Sequence, residues 1–182
     1  KSIHTDFRPP SAGPYVFNEG ELENFRRRGK DLGEVKAEKA EQTGKFYGLM
    51  MDHVRKVLSD VKRVYPGYNE EKGYELAGFV WFQGWNDMVA SGTYPNRGQP
   101  GGYDAYTDCL AHFIRDVRKD LEAPKMKFVI GVMGVGGPLE QYASQRYVPI
   151  HGAFREAMAA PSLMPEFKGN VFAVRTAKFW DM

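Results

Sequence analysis

Gln83, Gly84, Asn86 and Asp87 follow directly on the apolar run Phe79-Val80-Trp81-Phe82. A carboxamide held at the end of a buried strand can donate into a cleft, and neutral preorganised donors of that kind stabilise the oxyanion of acyl transfer. Gly84 lets backbone approach a ligand closely. Each residue also has a plainer use. Gln83 can satisfy local backbone groups, and Asn86 and Asp87 can serve a turn or cap. Trp85 either stacks on a sugar face or pins the loop as a packed aromatic.

Other chemistries find less support. No G-x-S-x-G turn is present for serine hydrolysis, and no complete triad can be read. The glycines after residue 133 do not spell G-x-G-x-x-G, because Leu139 takes the third place, and no G-x-x-x-x-G-K-[ST] occurs. His4, His53, His112 and His151 lie in no metal-ligand spacing, so no metal site is expected. Cys109 is the one cysteine, which excludes an internal disulfide; it sits in an apolar helical stripe and reads as a buried small hydrophobe.

A strand must deliver the 83–87 cluster, and the surrounding pattern supplies one. Leu76 to Phe82 is a near-continuous apolar run, as in a parallel strand covered on both faces. Phe128 to Met133 and Val171 to Val174 are two more apolar runs. Between them, Tyr106, Leu110, Phe113, Ile114, Val117 and Leu121 recur at helical spacing behind a possible Asp104 cap, and Tyr147, Ile150, Phe154 and Met158 outline another helix. Upstream, Phe46, Met50, Val54, Val57, Val61 and Val64 mark one helix face that Pro66-Gly67 stops. Alternation of this kind predicts an α/β fold, a parallel sheet between helices, with ligands beyond the carboxyl ends of its strands. Residues 83–103 then form a long loop of functional length. Residues 1–20 read as ordered loop, and residues 21–43 as one or two exposed, charged helices.

The chain has 182 residues, enough for one domain, with ordinary hydrophobic (42 %) and charged (26 %) fractions. A net charge of +2 is too small to argue for nucleic acid, and Arg26-Arg27-Arg28 sits among acidic residues as a solvated face. No run approaches the roughly 18 apolar residues of a membrane span.

The segment "VWFQGWND" resembles the third conserved block, W-x-Q-G-E-x-D, of the sialic-acid-specific acetylesterase-like carbohydrate esterases of the SGNH hydrolase superfamily. Trp81, Gln83, Gly84 and Asp87 match it, while Trp85 stands where glutamate is usual. The opening "KSIHTDFRPPSAGPY" also resembles the stretch after that family's second-block glycine. The resemblance implies a three-layer α/β/α sandwich, flavodoxin-like in its parallel sheet, and a serine esterase that removes acetyl groups from sugars without a cofactor. Its partner would be an acetylated carbohydrate, and its setting extracellular or periplasmic.

Carried over, Gln83 is the oxyanion donor, Gly84 shapes the turn and Asp87 is a supporting carboxylate. Trp85, Asn86, Asp6 and Arg8 border the substrate, although Asp6 and Arg8 can equally anchor the loop. The family's G-Q-S-N and D-x-x-H blocks, which hold the serine and histidine, are not in the 182 residues. The expectation is a single partial domain, incomplete at both ends, with a loop and charged segment at 1–43, an α/β core at 44–182 and no activity of its own. A non-catalytic carbohydrate-binding domain on the same scaffold is the alternative.

Overall fold

The structure, a computed structural model, describes residues 1–142 and 144–180. The charged stretch forms two helices. α1 (Glu19–Arg27) starts at a reciprocal cap, in which the Asn18 side chain accepts from the Glu21 N–H and the Glu21 carboxylate accepts from the Asn18 N–H. α2 (Leu32–Gln42) starts under Asp31, whose carboxylate accepts from the Glu34 N–H. Neither helix buries a residue, and Arg26 is ion-paired with Glu19 and Glu23 on the surface.

α3 (Lys45–Leu58) ends before Pro66, where the apolar spacing predicts its stop. Asp60 accepts from the Arg63 N–H and folds Val61–Arg63 into a separate short turn, which leaves Val64 exposed. The buried face of α3 centres on Tyr47 and Met51 rather than Phe46 and Met50. The N-terminal segment accounts for the shift, because Phe46 is taken up by the Phe7 ring (5.9 Å) and by Lys1 Nζ (4.2 Å). That segment is no loose surface loop. Ile3 is fully buried, and the carbonyls of Thr5 and Asp6 accept from the N–H groups of Gly44 and Phe46 (both 2.8 Å), which ties residues 1–7 to the head of α3.

The remaining elements alternate as expected: β1 (Gly78–Trp81), α4 (Trp85–Val89), α5 (Asp104–Asp120), β2 (Lys127–Val132), α6 (Val148–Ala159) and β3 (Val171–Arg175). The strands pair in parallel in the order β1-β2-β3, with Phe79, Phe128 and Val171 in one row and Trp81, Ile130 and Ala173 in another. This is the α/β class with a parallel sheet. Tyr106, Leu110, Phe113, Ile114 and Val117 of α5 are all fully buried, as their spacing predicts. Asp104 is the first residue of α5 rather than its cap, which is Tyr103. Cys109 is buried inside the same stripe.

Phe113 keys α5 to the sheet, with its ring 4.3 Å from Trp81, 5.9 Å from Phe79 and 6.3 Å from Phe128. Tyr47 of α3 reaches the same ring at 5.6 Å. Side chains alternate across a strand, so Val80, Phe82, Phe172 and Val174 point to the opposite face. There Val80 is 71 % and Phe82 66 % exposed. The cover predicted for both faces of the Leu76–Phe82 run is therefore found on one face only among the described residues. Among the described residues β1 is an edge strand, paired with β2 alone.

Candidate active site

Beyond β1 the chain leaves the sheet at Gln83 and turns at Gly84 into α4, inside what sequence spacing predicts to be unstructured loop. Gly84 is required by close approach rather than by strain. A Cβ there would lie 2.7 Å from Phe154 Cε1 and 3.3 Å from Met158 Cε, both on α6. α6 thus presses the turn against the end of the sheet.

Asp87 is the centre of the polar cluster and has no exposure at all. Its carboxylate accepts from the Ile3 N–H (3.0 and 3.1 Å), the His4 N–H (3.3 Å), the Gln83 amide (2.7 Å) and the Tyr94 hydroxyl (3.5 Å). His4 Nδ1 lies 2.7 Å from the same carboxylate, an arrangement that sequence reasoning missed. Asp87 therefore joins the N-terminal segment to α4. Burial, and next the Asp87 charge, push the Tyr94 hydroxyl well above its ordinary pKa, so it stays a neutral donor.

The pairing extends outward from His4. His4 Nε2 faces Thr93 Oγ1 at 3.4 Å, Thr93 Oγ1 faces the Tyr15 hydroxyl at 3.1 Å, and Tyr15 donates to Glu21 at 2.6 Å. Burial, then Glu21, hold the Tyr15 hydroxyl far above its usual range. This chain of contacts fastens the 90–103 loop and α1 onto the Asp87 centre. Nothing in local spacing announces it, since His4 and Asp87 stand 83 positions apart.

Gln83 and Asn86 behave differently. Both amide hydrogens of Gln83 are engaged, one by the Lys1 carbonyl (2.8 Å) and one by Asp87 (2.7 Å). Its Oε1 is sealed without a partner among the described residues. Asn86 is exposed, and no described residue takes up its carboxamide. Asn86 and Trp85 rim a cavity of about 300 Å³ that Phe82, Met133 and Met158 wall on the apolar side. Trp85 is 50 % exposed at that rim.

Asp6 and Arg8 do not line this cavity. Asp6 accepts from the Ser2 N–H (2.8 Å) and hydroxyl (3.1 Å) and pairs with Lys1 Nζ (3.3 Å). Burial would raise its carboxyl, but those donors outweigh it and hold the pKa below the ordinary value. Arg8 folds onto its own loop, donating to the carbonyls of Gly13 and Ala12 (both 2.8 Å) and of His4 (3.4 Å). The two residues anchor the N-terminal segment here.

One serine–histidine pair is brought together, with Ser11 Oγ and His112 Nδ1 2.8 Å apart. It lies exposed on α5, where the Ser11 N–H also donates to Asp116 (2.8 Å), and it pins the short Pro10–Ala12 turn to that helix. No carboxylate is hydrogen-bonded to its second ring nitrogen among the described residues, so it lacks the orienting group of a triad. His151 is buried on α6, its Nε2 3.3 Å from the Tyr142 hydroxyl. No cluster of three or more His, Cys, Asp or Glu side chains suited to a metal occurs among the described residues.

The domain is of the α/β class, with a parallel sheet and a cavity beside the polar turn at the carboxyl end of its first strand. The chain belongs to the family described as carbohydrate esterase, sialic acid-specific acetylesterase, whose model matches residues 31–162. No curated protein and no solved structure matches it. No helix among the described residues is long and apolar enough to cross a membrane.

Proposed function

We propose that this chain forms the oxyanion side of a carbohydrate O-acetylesterase. The acetyl carbonyl of the sugar ester would enter the cavity at the end of β1 with its oxygen toward Asn86 Nδ2. The observation that carries this reading is the contrast between the two carboxamides: Asn86 has its donors available at a cavity rim, whereas both donors of Gln83 are engaged. Asn86 thus takes the role that the motif resemblance carries to Gln83. Gln83 becomes a positioning residue that holds Asp87 and, through it, α4. The serine nucleophile and its histidine base would come from residues of the parent protein outside these 182, and the chain alone would release no acetate.

The reading is tested by acetate release from acetylated sugars by the protein that carries these residues. Asn86→Ala should lower kcat by about 10²–10³ at unchanged fold, the usual loss for one oxyanion donor. A change within about twofold would remove Asn86 from the chemistry.

A second reading, carbohydrate binding without hydrolysis, is favoured by Trp85, a half-exposed indole at the cavity rim where the family motif carries glutamate. Sugar binding by a parent that releases no acetate would favour it.

A further inference from the structure

A groove of about 470 Å³ runs between residues 14–17 and α2. Lys36, Lys39, Ala40 and the cap residue Thr43 of α2 form one wall. At about 100° per residue these four share one helix face, while Glu34, Glu38 and Glu41 fall on the opposite face. The groove is therefore lined by two cations and by no carboxylate. Neither lysine has a carboxylate within 4 Å among the described residues. The acidic residues of α1 are committed elsewhere, Glu19 and Glu23 to Arg26, and Glu21 to the Asn18 N–H and the Tyr15 hydroxyl. Lys39 Nζ sits 4.6 Å from the centre of the Tyr15 ring, which holds its charge at the groove. Like charges one turn apart on a helix repel, and an anion between them relieves that repulsion.

The opposite wall offers main chain. Tyr15 and Phe17 are half-buried with their rings 4.9 Å apart, and Val16 between them is 77 % exposed. That two-residue alternation is the period of an extended strand. No backbone N–H or C=O of residues 15–17 is hydrogen-bonded among the described residues. A free extended stretch can take on a second strand through its main chain. Three extended residues span about 10 Å, as does the helix from Lys36 to Thr43, so the two walls match in length.

We infer that the groove docks an extended, acidic segment of a protein partner. The main chain of that segment pairs with residues 15–17, and its carboxylates lie along Lys36 and Lys39. Leu22 and Ala40 give its apolar side chains a floor. A polysaccharide or nucleic-acid polyanion could use the lysines, but it has no row of amides for residues 15–17; the free main chain is what favours a peptide. This docking stands independently of the esterase reading, since no residue of the groove lines the Asn86 cavity.

The test is fluorescence anisotropy of a labelled, end-blocked hexapeptide of alternating glutamate and valine, titrated with the intact protein. It should bind saturably, and at least tenfold more tightly than its lysine–valine counterpart or a copy N-methylated along the backbone. Lys36→Glu should weaken binding at least tenfold. Lys30→Glu carries the same change in net charge outside the groove and should leave binding unchanged. Lys36 is exposed, so its replacement leaves the fold intact. Absence of saturable binding, or unchanged binding in Lys36→Glu, would overturn the site. Equal binding of the N-methylated copy would overturn the main-chain pairing. Tighter binding of heparin, an acidic polysaccharide, than of the peptide would make the face a polyanion surface and overturn the peptide partner.

Discussion

Helix α4 is five residues long and has two sides with opposite uses. Asp87 and Met88 face inward and are buried, while Trp85 and Asn86 face the cavity and are exposed. The inward side spends its polar capacity on the fold, since Asp87 binds the N-terminal segment, Gln83 and Tyr94 at once. The outward side leaves its amide and indole uncommitted. One short helix can therefore hold uncommitted donors rigidly, because its far side is over-determined by hydrogen bonds.

The largest effect should come from breaking the buried side. Asp87→Ala would leave the amide of Gln83 and the N–H groups of Ile3 and His4 without their acceptor. A loss of about 3–5 kcal/mol is expected, as for other buried charges whose removal orphans their partners. Urea unfolding would measure it, and a loss under about 1 kcal/mol would mean that Asp87 does not organise the site. Gly84→Ala comes next. Its Cβ would strike the Phe154 ring, and such overpacking costs about 1–3 kcal/mol. A thermal shift of zero would show that α6 yields without strain.

Acid should loosen the N-terminal anchor more gently. The Asp6 carboxyl is held below its ordinary pKa, so its stabilisation is complete above about pH 4 and is lost as pH falls toward the depressed value. Asp6→Asn should flatten that part of the stability–pH curve. An unchanged curve would remove Asp6 from the anchor. Trp85→Ala is the smallest change expected, within about 0.5 kcal/mol in stability, with any effect confined to sugar binding. A large destabilisation would make Trp85 a packed aromatic after all.

The elements of the fold and the contacts of the site are not equally legible in the sequence. The α5 stripe is legible because helical period places Tyr106, Leu110, Phe113, Ile114 and Val117 on one side, and all are fully buried. The three strands are legible as apolar runs for the same local reason. Burial of both faces was not, because an apolar run says what a strand can bury and not what lies over it; Val80 and Phe82 remain exposed. Of the site, the QGWND cluster stands out by composition, but the division of labour between Gln83 and Asn86 depends on the Lys1 carbonyl, 82 positions away. The His4–Asp87 contact is equally non-local, and no period or spacing carries it.

The contrast between the two carboxamides is tested most directly by measuring denaturant stability and acetate turnover together for Asn86→Ala and Gln83→Ala in the intact protein. The account expects Asn86→Ala to keep its stability and lose about 10²–10³ in kcat. It expects Gln83→Ala to lose about 1–3 kcal/mol of stability, because Asp87 and the Lys1 carbonyl lose a donor. A stable Gln83→Ala that loses turnover, beside an Asn86→Ala of full activity, would contradict it and return the oxyanion to Gln83.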